Sequence, residues 1–323
     1  MRIFVTGGAG YVGSALVMHL ASRGHDVTVL DLVPIGAECL LPGILGGRVS
    51  LIRGDVTDER VLERTIPGHD AVVHLAAVVG EAACDVDPSR SAAINVGGAE
   101  AVAIAAATAG ITRVVSASTC SNYGVSDPGV LATEDDPLRP LGLYAETKVT
   151  AEGLVRKALP HATILRFGTV CGASPRMRFD LLVSELAREA VLGNELVIYA
   201  PDAWRPYLPI TELVRAVEEV IVGEPARVAG ATFNVVAENC TKRDLIAVAL
   251  RHFPSAQISL VAKTPDLRDY RVSGERFEAA TGFQMQSTVA DAFAETVRLL
   301  ELGTWPNAGA RRLTAVIPNR SQE

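Results

Sequence analysis

The chain has 323 residues, of which 49% are hydrophobic, so it is long and apolar enough for a large domain with a sizeable core. The formal net charge is −7 and no basic run occurs, which argues against nucleic acid as a partner. Five scattered cysteines form no CxxC pair, and six histidines show no metal-ligand spacing. These patterns favour reduced thiols over a disulfide framework and predict no metal site.

The start of the chain and its apolar runs give the expected location. The first residues enter an apolar strand directly, without the charged segment, long apolar run and cleavage site of a signal peptide. No stretch approaches the roughly 18 uninterrupted apolar residues that a membrane-spanning helix needs. We therefore expect a cytoplasmic protein without a membrane span.

The first 31 residues carry the strongest local pattern. A short strand, a glycine-rich turn, a helix and a second strand follow one another, and the second strand ends at Asp31. Gly7, Gly10 and Gly13 allow a tight turn, close approach to a pyrophosphate and close packing of the helix on the strand. The free N–H groups at the start of the helix suit that phosphate. This order predicts a dinucleotide-binding site.

Asp31 also predicts which dinucleotide binds. Its carboxylate can accept hydrogen bonds from both ribose hydroxyls of NAD, but it repels the 2′-phosphate of NADP. At about 4 Å and an effective dielectric near 20 the repulsion is on the order of 4 kcal/mol. The next residues, Leu32 and Val33, offer no arginine to receive that phosphate. The expected cofactor is therefore NAD.

Strands and helices continue to alternate beyond Asp31. Predicted strands cover residues 49–53, 70–76 and 113–116, and an alanine-rich helix covers 91–109. This alternation predicts an α/β fold with a doubly wound parallel Rossmann sheet. We expect an NAD-binding Rossmann domain at 1–170, and at 171–323 mainly a smaller substrate-binding lobe interleaved with the last sheet elements.

Two stretches carry groups that suit proton transfer. Tyr144 and Lys148 lie four residues apart, on the same face if the segment is helical. The phenol titrates near pH ~10, and bringing it close to neutral pH takes roughly 4 kcal/mol of favourable charge. The hydroxyl-rich stretch 116–124 follows the fifth strand, at the edge where parallel sheets bind ligands. An exposed helix turn and a serine-rich turn are the alternative interpretations.

Together these motifs resemble the extended short-chain dehydrogenase/reductase superfamily, in its NAD-dependent nucleotide-sugar epimerase/dehydratase branch. The matching segments are Thr6 to Gly13, Asp31, Asp55-Val56, His74 to Ala77, Tyr123-Gly124, Tyr144 with Lys148, Leu165 to Gly172 and Arg205 to Tyr207. The predicted cofactor-binding residues are Gly7, Gly10, Tyr11, Val12, Gly13, Asp31, Asp55, Val56, Leu75, Ala76, Ala77, Asn95, Tyr144 and Lys148. For Asp55, a helix cap is an equally good interpretation.

The resemblance implies a role for each catalytic group. Tyr144 would take the proton of a sugar hydroxyl as hydride leaves the same carbon for NAD. Lys148 would lower the pKa of that tyrosine and hold the nicotinamide ribose. Thr119 precedes the Tyr123-Gly124 pair by four residues, where the family keeps its catalytic Ser or Thr. The expected product is a 4-keto sugar, an intermediate shared by several reactions.

The residues after Thr119 decide between those reactions. Family dehydratases carry an Asp-Glu pair there, whereas this chain has Cys120 and Ser121. An elimination that uses the Cys120 thiol as an acid stays open, and so does a buried packing role for this residue. A 4-epimerase needs no further acid or base, so 4-epimerisation is the preferred hypothesis. A 4-ketoreductase and a non-catalytic NAD-binding regulatory protein are the alternatives.

The C-terminal half offers candidate contacts to a nucleotide-diphosphate sugar. Thr119 and Ser121 are predicted substrate contacts, together with the diphosphate-binding candidates Arg176, Arg178, Arg205 and Arg268. Arg205 lies in a matching motif, but Pro209 stands where the family usually has a histidine. The alanine-rich helices at 91–109 and 147–158 have broad apolar faces. In the family the equivalent helices pair across a two-fold axis, so we expect a homodimer.

Overall fold

A computed structural model of the chain describes residues 1–127, 129–261, 268–305 and 308. The remaining residues of the predicted C-terminal lobe lie outside the described part. The strands are β1 Arg2–Thr6, β2 Asp26–Asp31, β3 Val49–Arg53, β4 Ala71–His74, β5 Val114–Thr119, β6 Leu131–Ala132, β7 Thr163–Phe167, β8 Thr169–Cys171, β9 Leu196–Tyr199, β10 Trp204–Pro209, β11 Thr232–Val235, β12 Glu238–Thr241, β13 Ile258–Val261 and β14 Arg271–Val272.

Helices alternate with these strands. They are α1 Tyr11–Ser22, α2 Leu41–Leu45, α3 Glu59–Thr65, α4 Glu81–Val86, α5 Pro88–Ala92, α6 Ala99–Thr108, α7 Leu143–Ala158, α8 Leu182–Leu192, α9 Ile210–Val222, α10 Pro225–Val228, α11 Lys242–His252, α12 Glu275–Thr281 and α13 Val289–Glu301. Short 3₁₀ turns cover Glu38–Leu40 and Cys120–Tyr123, and a π-helical turn covers Ala93–Gly98.

A seven-stranded sheet forms the centre of the molecule. Its strand order is β11-β7-β5-β4-β1-β2-β3, and all of its neighbouring strands are parallel. The chain reverses its direction of travel across the sheet next to β1, where β2 lies on one side and β4 on the other. Open parallel sheets bind ligands at such a switch point, outside the carboxyl ends of the strands. The predicted doubly wound sheet is confirmed.

Both faces of this sheet are buried, as a parallel sheet requires. Alternate residues of β1 illustrate the arrangement. Ile3 and Val5 belong to a core cluster that includes residues of α1 and α9, and Phe4 belongs to a second cluster with residues of α3, α6 and α7. The sheet is therefore held between two helical layers.

The remaining strands form smaller sheets. The three-stranded sheet has the order β12-β10-β8, and the two pairs are β13-β9 and β14-β6. Helices α8, α11 and α13 pack with this region around a third core cluster. Strand β11 nevertheless returns to the large sheet beside β7.

The predicted helix at 91–109 is a longer helical run with an irregular centre. Helices α5 and α6 are joined by the π-helical turn at 93–98 into one run, Pro88–Thr108, of 21 residues. By length and composition alone this run could cross a membrane, but half of its apolar window is buried inside the fold. Core helices pass the same test. The run packs on α3 and α7.

Candidate active site

The glycine-rich turn at the carboxyl end of β1 has the shape of a phosphate cradle. Gly7 has φ of 73°, and a Cβ there would lie 2.7 Å from the backbone nitrogen of Ala76. A Cβ on Gly13 would lie 2.0 Å from the carbonyl oxygen of Gly7. Gly10 caps α1 without a side-chain hydrogen bond, so the first N–H groups of the helix, from Tyr11 and Val12 onward, have no side-chain cap.

The side chain of Tyr11 points away from the cradle. Its hydroxyl donates to the carbonyl oxygen of Gly172 at 2.7 Å, and the hydroxyl of Ser174 donates to the carbonyl oxygen of Tyr11 at 2.6 Å. The first turn of α1 is thereby fastened to the segment that follows β8. Any contact of Tyr11 with a dinucleotide at the cradle would come from its backbone.

Asp31 lies at the carboxyl end of β2, beside the cradle. Its carboxylate oxygens accept hydrogen bonds from the backbone N–H of Ala9 at 2.9 Å and of Val33 at 2.7 Å. The two bonds hold the carboxylate at the edge of the glycine turn. This is the position that the ribose contact predicted from the sequence requires.

Two other predicted cofactor residues have local structural partners. Asp55 accepts from the backbone N–H and the hydroxyl of Thr57, each at 2.9 Å. Val56 is buried, and a Cβ on Gly98 would come within 2.8 Å of its side chain. The helical run that contains residue 98 can therefore approach Val56 closely because that residue is glycine.

Asn95 holds the loop that follows β4. Its side chain exchanges two hydrogen bonds with the backbone of Val78, of 2.7 and 3.0 Å, and donates to the hydroxyl of Thr147 at 3.1 Å. Thr147 in turn donates to the carbonyl oxygen of Tyr144. Asn95 therefore fixes the loop containing Leu75, Ala76 and Ala77 against the first turns of α7.

Thr119, Tyr144 and Lys148 come together where β5 meets α7. The hydroxyl of Thr119 lies near enough to the Tyr144 phenol to lower the pKa of that phenol. Lys148 lies one turn further along the same helix and is buried. A strand end and a helix start, separated by a long loop, thus place a hydroxyl, a phenol and an amine in one site. This set can move a proton to and from an alcohol.

A comparison with known families assigns this arrangement. The family model described as NAD dependent epimerase/dehydratase family matches residues 3–235, which contain the cradle, Asp31 and the Thr119-Tyr144-Lys148 site. The chain belongs to that family. It is therefore an NAD-dependent enzyme, and the predicted resemblance is confirmed. The residues fit this cofactor, because a Cβ would fill the glycine cradle and a carboxylate stands at the end of β2.

Relatives of known activity fall in several classes. The UDP-glucose 4-epimerase of Streptomyces lividans is 33% identical over 238 residues, 67% of this chain and 70% of the relative. A 3 beta-hydroxysteroid dehydrogenase/Delta 5-->4-isomerase of Mycobacterium tuberculosis is 39% identical over 162 residues, 48% of this chain and 42% of the relative. The chain thus spans less than half the length of that relative.

A solved structure covers nearly the whole chain. The dTDP-glucose 4,6-dehydratase DesIV from Streptomyces venezuelae, solved with NAD bound, is similar with a TM-score of 0.84 at 29% identity. The match covers 94% of this chain and 98% of the dehydratase chain. Relatives of this chain thus include an epimerase and a dehydratase, so the architecture alone does not distinguish the two activities.

Electrostatics in the site of this epimerase/dehydratase are dominated by burial. Burial raises the pKa of the Tyr144 phenol, and Cys84 and Glu81 raise that pKa further. The positive charge that most lowers the pKa of Tyr144 is that of Arg178, followed by the hydrogen bond from Thr119. Burial also lowers the pKa of Lys148 to about 8. We expected Lys148 to be the main cation acting on the phenol, but the cation that lowers the pKa of Tyr144 is Arg178.

Sequence reasoning missed Glu81. One oxygen of its carboxylate accepts a hydrogen bond from the backbone N–H of Tyr144 at 2.9 Å, which caps the start of α7. The other oxygen is buried without a hydrogen-bond partner among the described residues. Gly142, which precedes α7, has φ of 102° and offers no side-chain cap. A cap from α4 cannot be predicted from local sequence.

Sequence reasoning also missed a buried ion pair behind the site. Glu152 on α7 pairs with Arg166 on β7 at 2.7 Å, and both side chains are almost fully buried. Glu152 accepts further hydrogen bonds from the Ser118 hydroxyl at 2.5 Å and from the Asn122 amide at 2.9 Å. The spacing of Glu152 four residues after Lys148 is the signal that was present in the sequence.

The thiol of Cys120, which the sequence left open as a catalytic acid, is directed into the core and away from the hydroxyl of Thr119. The residue is 1% exposed, and its thiol donates to the carbonyl oxygen of Arg166 at 3.3 Å. It packs in a core cluster with Tyr123 and Tyr270. Burial raises the pKa of its thiol, which makes the thiolate less accessible. The structure thus gives Cys120 the packing role that the sequence left open.

Ser121, unlike Cys120, lies beside the hydroxyl of Thr119. Its hydroxyl lies 2.9 Å from that of Thr119, and its backbone N–H donates to the same Thr119 oxygen at 3.1 Å. The 3₁₀ turn after β5 produces this arrangement, because it directs residues 120 and 121 to different sides. The hydroxyls of Thr119 and Ser121 can therefore contact one substrate.

The four predicted arginines have different surroundings. Arg178 forms an ion pair with Asp180 at 2.6 Å, and its charge reaches both Tyr11 and Tyr144. Arg176 donates through its backbone N–H to the Ser14 hydroxyl of α1. Its guanidinium donates to the carbonyl oxygen of Met177 at 2.7 Å. Of these two arginines, Arg178 is the one whose positive charge lowers the pKa of the Tyr144 phenol.

The guanidinium of Arg205 is hydrogen-bonded to the backbone of Arg268. Arg205 is 7% exposed, and one of its guanidinium nitrogens donates to the carbonyl oxygens of Trp204 and Arg268. The same guanidinium lies 5.6 Å from the ring centre of Tyr270. Arg205 thus holds the segment from residue 268 to 270 against β10. Pro209, the departure from the family motif, ends β10 and precedes α9.

Proposed function

We propose that this protein is a nucleotide-sugar 4-epimerase. The observation that carries the proposal is that Thr119, at the end of β5, lies near Tyr144 and the buried Lys148 of α7. The Cys120 thiol, in contrast, is directed into the core. The set of Thr119, Tyr144 and Lys148 supports reversible oxidation at one carbon. The residues at 120 and 121 provide no carboxyl group for an elimination. The UDP-glucose 4-epimerase of Streptomyces lividans, which is 33% identical to this chain, adds support.

The chain's own groups would carry the proton through each half of the reaction. Tyr144, as phenolate, accepts the proton of the C4 hydroxyl, while the Thr119 hydroxyl orients the same oxygen. Positive charge from Lys148 and Arg178 stabilises the phenolate. The glycine turn and Asp31 would hold NAD, which would supply the reversible hydride chemistry at C4. Tyr144 then returns its proton to the oxygen of the inverted carbon.

Substrate and assembly are part of the same proposal. A guanidinium such as that of Arg178 suits a diphosphate, and the relatives' names point to nucleotide sugars. We also propose that the enzyme is a cytoplasmic homodimer, paired through the helical run 88–108 and α7. The 4,6-dehydratase is the second candidate, because the DesIV structure is similar over 94% of the chain. A 4-ketoreductase and a regulatory NAD-binding protein follow as alternatives.

Product analysis separates these functions. The protein is incubated with NAD and, separately, with UDP-glucose, dTDP-glucose, GDP-mannose and UDP-glucuronic acid, and products are resolved by chromatography with mass detection. An isomer of unchanged mass supports the epimerase. Loss of one water supports the dehydratase, and consumption of NADPH with a 4-keto sugar supports the reductase. If no sugar reacts with any cofactor although NAD binds, the regulatory alternative is favoured.

The matched variant is Tyr144→Phe, which keeps the ring and removes the hydroxyl. We expect it to lose turnover by about 100-fold or more, the usual contribution of a general base. NAD binding, measured by calorimetry, should stay close to that of the wild type. Wild-type turnover by this variant would refute the mechanism.

A further inference from the structure

The side chain of Glu152 occupies a special position relative to the catalytic lysine. Glu152 follows Lys148 by one helical turn of α7, and the two residues are 9% and 5% exposed. Lys148 is thus an amine inside the core with a carboxylate on the same helix face. Buried charges persist in proteins when they are paired and hydrogen-bonded.

The same carboxylate also holds the strand that carries the catalytic hydroxyl. Ser118, directly before Thr119, donates to Glu152 at 2.5 Å, and Asn122, three residues after Thr119, donates at 2.9 Å. The two hydrogen bonds fix the chain on both sides of Thr119. Arg166 completes the arrangement from β7 with nitrogens at 2.7 and 3.0 Å. The end of β5 is therefore tied to α7 through one side chain.

Glu152 is the negatively charged group that acts on Lys148, because the other groups that influence the lysine are neutral. Glu152 is the largest influence that raises the pKa of Lys148, and Cys84 is the next. Burial raises the pKa of the Cys84 thiol, so that group is neutral near pH 7. His74 is neutral as well, because burial lowers its pKa to about 3. Glu152 thus pairs directly with the buried Arg166 and is also the main negative charge that acts on the buried Lys148.

We propose that Glu152 is a positioning residue of the proposed epimerase: its carboxylate is the counter-charge of Lys148 in the core, and it holds the end of β5 that carries Thr119 against α7. The inference rests on the proposed function for its consequence in turnover. The effect that it predicts is on the protonation of Lys148 and Tyr144. It can therefore be tested without any sugar.

The test titrates the NAD-bound protein from pH 6 to 11 and follows phenolate absorbance near 295 nm. The protein has six tyrosines, so the curve of each protein is corrected with that of its Tyr144→Phe counterpart. In Glu152→Gln, Lys148 loses its negative partner and becomes neutral at lower pH. The Tyr144 phenolate then forms at higher pH, by about one unit or less. Turnover of the responsive sugar should fall ~10-fold or more, and the alkaline limb of its pH profile should move to lower pH.

Two further variants separate this role from a merely structural one. Glu152→Gln combined with Arg166→Met removes both charges of the ion pair, so folding stability recovers if the pair alone mattered. The proposal predicts that the Tyr144 titration stays displaced in this double variant. Glu152→Asp keeps the negative charge, so its Tyr144 titration should lie between those of Glu152→Gln and the wild type. Glu146→Gln, an exposed glutamate on the same helix, is the matched control and should titrate as the wild type.

Each outcome bears on the inference in a defined way. A Tyr144 titration in Glu152→Gln that coincides with the wild type overturns it, and so does full recovery of titration and turnover in the double variant. If the wild type turns over no sugar, the proposed function fails. The titration then still shows whether Glu152 controls Lys148.

Discussion

The backbone N–H of Tyr144 donates a hydrogen bond of 2.9 Å to the carboxylate of Glu81, 63 residues earlier in the chain. The same carboxylate raises the pKa of the Tyr144 phenol, although burial and Cys84 each raise that pKa more than Glu81 does. One acidic side chain therefore stabilises the start of the catalytic helix and opposes ionisation of the catalytic group. The two effects can be separated, because a hydrogen-bond acceptor need not be charged.

Replacing Glu81 by glutamine should move the activity of the enzyme to lower pH. Gln keeps an oxygen for the N–H of Tyr144 but removes the negative charge, so the pKa of the phenol falls. The phenolate is the working base, and activity rises with pH as it forms. The acidic limb of the pH profile should therefore shift down by about half a unit to one unit.

The measurement is turnover of the responsive sugar between pH 5 and 9, with thermal unfolding recorded in parallel. Glu81→Asp, which retains the charge, serves as the control and should not shift the acidic limb downward. An upward shift, or an unchanged limb in Glu81→Gln with intact folding, contradicts the electrostatic role.

The sequence predicted those parts of the site whose residues lie close together along the chain. The glycine turn, Asp31 and the Tyr144-Lys148 pair all depend on local spacing, and the structure places each beside the expected partner elements. Glu81 and Glu152 were missed because their partners are distant, with separations of 63 residues to Tyr144 and 34 residues to Ser118. Spacing along one chain segment carries no information about such contacts.

Cys120 illustrates a second limit. It directly follows Thr119, and sequence adjacency suggested that both could face the substrate. The 3₁₀ turn of residues 120–123 instead directs the thiol to the carbonyl oxygen of Arg166 in the core. Which side of a strand end a residue faces depends on the first turn after the strand. That turn is decided here by packing around Tyr123 and Tyr270.

Asp31 should control the choice between NAD and NADP. Asp31→Asn removes the charge that repels a 2′-phosphate, a repulsion on the order of 4 kcal/mol at short range. It also loses one of the two acceptor oxygens that bind the N–H groups of Ala9 and Val33, which weakens NAD binding by about 1 kcal/mol. The ratio of the two dissociation constants, NADP over NAD, should fall on the order of 1,000-fold, the equivalent of about 4 kcal/mol.

Calorimetric titration of both cofactors measures this ratio. Asp26→Asn is the matched control, because Asp26 starts the same strand, is exposed and pairs with Arg48. It should bind both cofactors as the wild type does. A ratio that stays the same in Asp31→Asn would show that the selectivity has another source.

Replacing Cys120 by serine should leave turnover within about threefold of the wild type, since the hydroxyl can still donate to the Arg166 carbonyl oxygen. Stability should fall by about 1 kcal/mol, because a more polar atom replaces sulfur in an apolar cluster. Thr119→Ala is the positive control and should lose turnover by about 100-fold, because the proposed mechanism uses its hydroxyl to orient the substrate oxygen beside Tyr144. Loss of turnover in Cys120→Ser with unchanged thermal stability would return the thiol to catalysis and favour the dehydratase.

Ile104 should decide the oligomeric state. It is 51% exposed on α6, and Ala93 and Gly97 are exposed near the same face of the helical run. A Cβ on Gly97 would meet no atom within 4 Å, so another helix can approach this face closely. A second copy of the chain would cover it. Ile104→Glu places a charge in that contact, and we expect it to convert a dimer to a monomer in sedimentation velocity at micromolar concentration.

Leu45→Glu provides the control for this experiment. Leu45 is 78% exposed at the end of α2, a different helix, so the variant adds the same charge at another exposed apolar position. It should sediment as the wild type. A dimer that persists in Ile104→Glu would place the interface elsewhere, and a monomeric wild type would refute pairing through this helix.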